Sequence, residues 1–304
     1  MQIEFGMSLT GLHDVAGNAR RLESLGYDYV GCGEHVSFHG PTSNSFVSLA
    51  VAAGATTRIR LISAIVLLPL YPAALAAKLA ATLDVASNGR YHMGVGVGGE
   101  MPREFEACGV PVRERGARTN EALQVIRRLL SEPSVTFEGR FNTLHDVSIQ
   151  PLPQQRPLPI WVSGRKDAAM QRAARFGEGW MPYMYTPEML ADSLARIARH
   201  AMEAGRTPDA VRPGLFVFTC CHADGARARE MAIAKLSTQY AQDFSKIADR
   251  YVVMGNPAEC RQRLQQYVDA GARTVFLSSA CPNDYLEANE TLLAREVLPA
   301  FRGT

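Results

Sequence analysis

An α/β fold consisting of a single (β/α)8 TIM barrel, with an insertion between strands four and five, is predicted by three features of the sequence. Short β-type runs alternate with helix-type segments from end to end, the pattern of a parallel sheet with crossover helices. Eight such runs can be counted, as a closed barrel requires. The length of 304 residues also suits one α/β barrel rather than two average domains.

The first strand falls at 3–9, followed by a helix that Asp14 can cap and Gly26 can end. The second strand covers 27–34 and precedes a small-residue helix at 45–56. The third, at 59–67, is a continuous apolar run suited to burial on both faces. Pro72 opens an alanine-rich helix that stops near Asn88-Gly89. Strands four to eight are placed at 91–97, 158–163, 179–183, 214–221 and 274–279. The later helices are expected at 168–176, 187–204, 226–250, 257–270 and 284–301.

Residues 100–157 form the insertion, inside a single domain spanning 1–304. It contains a helix at 116–131, a hairpin at 135–149 turning near Gly139, and a proline-rich run from Gln150 to Pro157 that must be extended. An insertion after a barrel strand lies at the carboxyl face, where this fold places active sites. A lid or substrate wall is one reading, and packing decoration is the other.

Composition narrows the partners. With 47% hydrophobic and 20% charged residues and a formal net charge of +2, the chain has ample core and no concentrated basic face for nucleic acid. Its start lacks the basic residues and apolar run of a secretory signal. Thr57, Arg58 and Arg60 interrupt the apolar stretches around them, leaving none long enough for a bilayer. A cytoplasmic protein with no membrane partner is expected. The six cysteines (32, 108, 220, 221, 260 and 281) have no metal-binding cadence, so reduced thiols and no metal site are expected.

Three constellations fall at predicted carboxyl ends of strands. Glu34-His35 closes strand two, where an imidazole can exchange protons near neutral pH or merely hold a loop. Gly94-Val95-Gly96-Val97-Gly98-Gly99-Glu100 closes strand four, and its glycines admit a flat ligand or a tight turn. This run lacks the spacing of a dinucleotide fingerprint. Ser163-Gly164-Arg165 follows strand five at a helix start, a place for an anion, although Asp167 as a plain helix cap is the alternative. No H-x-H or G-x-S-x-G occurs, and Lys78, Lys166, Lys235 and Lys246 all fall on helices or their edges. Cofactor chemistry is the reading left by these absences.

Several motifs then coincide with a known family: Leu83-Asp84-Val85-Ala86-Ser87-Asn88-Gly89-Arg90 running into Gly94–Gly98, Glu104-Phe105, Gly109-Val110-Pro111, the spaced prolines 151–159 before Ile160-Trp161-Val162, and Ala173-Ala174-Arg175 before Gly177 and Gly179-Trp180. Over nearly its whole length the chain resembles the luciferase-like monooxygenase superfamily, and within it the F-420-dependent oxidoreductases. The resemblance implies a cis peptide at Ala64–Ile65, after Ser63, supporting a flavin or deazaflavin ring. It gives Glu34-His35 a catalytic place, with Glu100 as a further acid displaced in register by Gly99. Gly96, Gly98, Ser163, Gly164, Arg165, Gly179 and Trp180 become cofactor-binding candidates, although Ser163 stands where the family usually has glycine. The implied cofactor is coenzyme F-420, with FMN as the alternative. The implied reaction is hydride transfer with a small organic substrate. An FMN monooxygenase and a non-catalytic flavin-binding protein are the alternatives. The resemblance further implies a homodimer and a reductase supplying reduced cofactor. Phe38, His39, Met101, Tyr183 and Tyr185 are candidates to line the substrate site.

Overall fold

The computed structural model describes residues 3–9 and 13–302. In chain order its barrel begins with β1 (Glu4–Ser8), α1 (Val15–Ser24), β2 (Tyr29–Cys32), α2 (Ser45–Ala55), β3 (Arg60–Ser63) and the short β4 (Val66–Leu67). Then come α3 (Ala73–Ala86), β5 (Tyr91–Gly96), α4 (Pro102–Ala107), α5 (Arg115–Leu129) and the hairpin β6 (Val135–Glu138) with β7 (Thr143–Val147). The chain continues through β8 (Ile160–Val162), α6 (Asp167–Phe176), β9 (Gly179–Trp180), α7 (Pro187–Glu203) and β10 (Arg212–Cys221). It finishes with α8 (Gly225–Tyr240), α9 (Ala248–Tyr251), β11 (Val253–Gly255), α10 (Pro257–Asp269), β12 (Thr274–Ser279) and α11 (Leu286–Leu292). The parallel barrel runs β1-β2-β3-β5-β8-β9-β10-β12 and closes where β12 pairs with β1, Phe5 opposite Val275.

Three departures from the sequence reading have identifiable reasons, beside shorter strands at Tyr29–Cys32, Ile160–Val162 and Gly179–Trp180 and a closing helix that is regular only over Leu286–Leu292. Strand three is not continuous: it breaks at Ala64–Ile65, a cis peptide, and resumes as β4. The helix expected over 226–250 stops at Tyr240, where Ala241 turns left-handed at φ 49°. Phe244 then folds inward to 2% exposure, and the chain returns as β11 against the upper part of β10, Cys220 opposite Met254. Asp167 is not the cap of α6. Lys166 holds that position without a side-chain bond, and the Asp167 carboxylate pairs with Arg196 and with His200 at 3.1 Å. Asp14, by contrast, does cap α1 through the Gly17 N–H at 2.9 Å.

The barrel is plugged rather than hollow. Tyr29, Ile62, Trp161, Met181 and Phe276 fill it, and Ala64, Ile65 and Phe216 lie half-buried against this plug. Trp161 needs two missing side chains: a Cβ at Gly179 would stand 2.3 Å from its ring and one at Gly214 2.7 Å. Its indole N–H donates to Nδ1 of His92 at 3.2 Å. Burial, with Arg60 and Arg212 nearby, pushes the His92 imidazole from 6.5 down to about 3. The folded state therefore favours the neutral ring and the unfolded chain takes up the extra proton, so stability falls as pH drops from 6.5 toward 3. A His92→Gln variant is expected to lose less stability across that interval. Thermal melts of both proteins in matched acid and neutral buffers check this.

Most of the insertion packs on the flank. The α5 helix lies against α3 and α6. The Glu121 carboxylate accepts the backbone N–H groups of Arg140, Phe141 and Asn142 at 2.7–2.8 Å, fastening the hairpin turn. Asp84 likewise fastens the proline-rich run through the N–H groups of Gln154 and Gln155. Residues 100–107 are the part whose side chains join groups of the barrel mouth. Among the described residues no helix is long and apolar enough to cross a membrane.

Candidate functional site

The carboxyl ends of β2, β3, β5 and β8 bring most of the singled-out residues to one face. At its floor the Ala64–Ile65 bulge projects over the barrel plug, with the Ala64 N–H held by the Cys32 carbonyl at 2.8 Å. The neighbouring strands are cut back to admit it. A Cβ at Gly94 would lie 1.8 Å from the Ser63 carbonyl oxygen, and one at Gly33 2.8 Å from that of Ala64. The space above Gly96 is taken by Ile65, whose Cδ1 would be 1.9 Å from such a Cβ. Gly98 faces Leu67 and Phe105 in the same way. These glycines make room for the protein's own bulge before they make room for any ligand. Ser63 is fully buried, its hydroxyl bonded to that of Tyr91.

Glu34 and His35 are adjacent in sequence and separate in role. Glu34 is 8% exposed, and its carboxylate accepts bonds from the Ser45 and Leu67 N–H groups, the Asn44 amide and the Tyr71 hydroxyl at 3.0–3.1 Å. Burial raises its pKa, and the bonds from Ser45, Leu67 and Tyr71 oppose that rise. Saturated by structural donors, it ties β4 to the start of α2.

His35 points elsewhere. Its Nδ1 lies 3.2 Å from Oε2 of Glu104, a fully buried carboxylate that also accepts the Val36 N–H at 3.1 Å. With Nδ1 engaged by this carboxylate, Nε2 is left as the ring atom available to take or give a proton. In the sequence Glu104 stands out only as part of the Glu104-Phe105 motif of the family. The separation of 69 residues hides the pair from any local reading, and only the short α4 helix brings the two together.

Across the mouth, the Tyr183 hydroxyl donates to Glu100, and the Arg165 guanidinium sits 4.9 Å over the Tyr183 ring. Gly99, at φ 106°, adopts a conformation that favours glycine, with Arg115 packed beneath it. Ser163 and Gly164 are half-exposed at the end of β8, with Arg165 exposed beside them. Trp180 does not face this space. It is fully buried, and its indole N–H donates to the Gly164 carbonyl at 3.0 Å, so it shapes the turn from below. Gly179 serves Trp161 as described. Tyr185 is also turned inward at 3% exposure, donating to the Arg165 carbonyl at 3.2 Å. Trp180, Gly179 and Tyr185 thus support the rim from beneath. Among the described residues no group of three or more His, Cys, Asp or Glu could hold a metal ion.

Comparison with known proteins places the chain among relatives of one fold and family. An uncharacterized protein of Mycobacterium tuberculosis is 36% identical over 182 residues, which is 60% of this chain and 62% of that protein. The chain thus spans less than two thirds of that relative's length. An F-420-dependent glucose-6-phosphate dehydrogenase of Kineococcus radiotolerans is 30% identical over 263 residues, covering 78% of this chain and 76% of the relative. An F-420-dependent secondary alcohol dehydrogenase, solved in complex with an F-420-acetone adduct, superposes with a TM-score of 0.86 over 100% of both chains at 22% identity. The model of the luciferase-like monooxygenase family matches residues 4–274. With a closed barrel, a bulged third strand and that match over most of its length, this chain belongs to the luciferase-like monooxygenase family.

Proposed function

We propose that the chain transfers a hydride between coenzyme F-420 and a small organic substrate at the barrel's carboxyl mouth. The observation that carries this reading is His35 held by buried Glu104, at the same end of the barrel as the half-buried Ala64–Ile65 floor. The chemistry of the residues suits a flat ring carrying a phosphate-bearing tail. Ala64 and Ile65 offer an apolar seat without a competing charge, and the turn at Ser163 and Gly164 offers backbone donors and the Ser hydroxyl to a phosphate. Arg165 adds positive charge at that end. When bound, the deazaflavin supplies a hydride donor or acceptor. His35 Nε2 moves the accompanying proton, and Glu104 fixes its tautomer. Glu34 holds β4 and α2 in place from below, and Glu100 stands on the far rim as a second carboxylate bonded to Tyr183.

The relative named for F-420 supports this cofactor, while the family's description as monooxygenases supports FMN and oxygen as a second reading. Titrating the purified protein into F-420 is expected to raise the cofactor's fluorescence anisotropy to a plateau. A flat titration, with reduced FMN and labelled dioxygen giving oxygenated product instead, would replace the first reading by the second. A homodimer and a partner reductase complete the proposal. Val47 and Val51, one turn apart on α2, and Leu75 on α3 are exposed apolar residues that support self-association.

A further inference from the structure

An arc of aromatic rings runs from the barrel floor to the proposed catalytic imidazole. Residues 216, 218 and 220 of β10 alternate onto one strand face, and the Phe216 and Phe218 rings stand 5.6 Å apart. Phe216 belongs to the floor with Ala64 and Ile65. Tyr240, at the end of α8, meets Phe218 at 5.9 Å and Phe38 at 6.1 Å, both edge-on. Phe38 in turn stacks on His35, with ring centroids 4.3 Å apart and an interplanar angle of 20°. Five rings from three distant segments therefore bound the His35 side of the mouth.

The Glu100 carboxylate lies near this arc, while the Arg165 guanidinium sits over the Tyr183 ring, off the arc itself. Burial raises the Tyr240 phenol above its usual range, and the carboxylate of Glu100 adds to that rise. The cation–π contacts among the described residues fall on Tyr29, Phe141, Tyr183, Phe176, Tyr251 and Tyr267. None falls on a ring of the arc. A phosphorylated substrate held against this arc needs guanidinium or ammonium partners, and on these rings it would meet aromatic faces instead.

We propose that the substrate is an uncharged, largely apolar molecule held against this wall, with Phe38 and Tyr240 as specificity-determining residues. The proposal rests on the hydride-transfer reading for the identity of the site, and it separates this chain from the sugar phosphate in the name of its Kineococcus relative. Phe38 covers the imidazole face and directs an apolar molecule toward Nε2, while Tyr240 closes the wall from the α8 side.

The test uses F-420-loaded protein, cofactor binding having first been measured by anisotropy, with acetophenone and glucose 6-phosphate as probes in saturation-transfer NMR. Acetophenone is expected to give a saturable signal and glucose 6-phosphate none. Phe38→Leu and Tyr240→Leu, which keep apolar bulk, are each expected to weaken acetophenone by roughly tenfold, as loss of a stacked or edge-on aromatic partner implies. F-420 affinity should stay unchanged in both. Saturable binding of glucose 6-phosphate, absence of acetophenone binding, or acetophenone binding indifferent to both substitutions overturns the proposal. If F-420 itself fails to bind, the cofactor reading falls, and the same probes on the cofactor-free protein still decide the character of the wall.

Discussion

Replacing Gly94 by alanine is expected to cost at least ~3 kcal/mol, at the upper end of overpacking effects, and to lower Tm by roughly 5–10 °C for a protein of this size. The added methyl would stand 1.8 Å from the Ser63 carbonyl oxygen, a backbone atom that cannot rotate away. Either β5 or the bulge must move, and the point of contact is enclosed, since Gly94, Val95 and Ser63 are buried. Because the bulge forms the proposed ring seat, F-420 binding should fall with stability. Differential scanning calorimetry and the anisotropy titration read the two effects. A variant that melts with the wild type would show that β5 does not press on the bulge in this way.

The second large effect is chemical. His35→Asn is expected to lower kcat by roughly 10²–10⁴-fold, the contribution of a positioned general acid or base, on any substrate the wild type turns over. Asparagine retains a donor for Glu104 and a planar group beneath Phe38, so F-420 affinity should change less than about threefold, well under 1.4 kcal/mol. Unchanged turnover would remove His35 from the chemistry and leave it a loop anchor. If neither protein turned over any substrate while both bound F-420, the chain would be read as a flavin-type binding protein.

The barrel was legible because burial on both faces leaves continuous apolar runs such as 59–67, and because Pro72 and Asn88-Gly89 punctuate a helix clearly. What escaped depends on contacts far apart in sequence. The β11 strand is three residues long and follows a polar stretch that reads as helix until Phe244 is seen to turn inward. Glu104 lacks any local mark of its partnership with His35. The glycines read two ways for a physical reason: an absent side chain is equally consistent with space for a ligand and space for a neighbour, and at Gly94, Gly96 and Gly179 a neighbour, Ser63, Ile65 or Trp161, stands within that space. Trp180, which the resemblance assigns to the cofactor's phosphate side, reaches that turn from below through the Gly164 carbonyl.

The arrangement around β10 has an evolutionary corollary. Phe218 also belongs to the buried cluster with Cys220, Leu236 and Phe244, to which Tyr240 is packed. Altering those two rings to accommodate a new reactant therefore draws on the same packing that stabilises this quarter of the molecule. Phe38, on a loop outside that cluster, is the position where selection can retune preference at the least structural cost, so divergence among descendants should begin there.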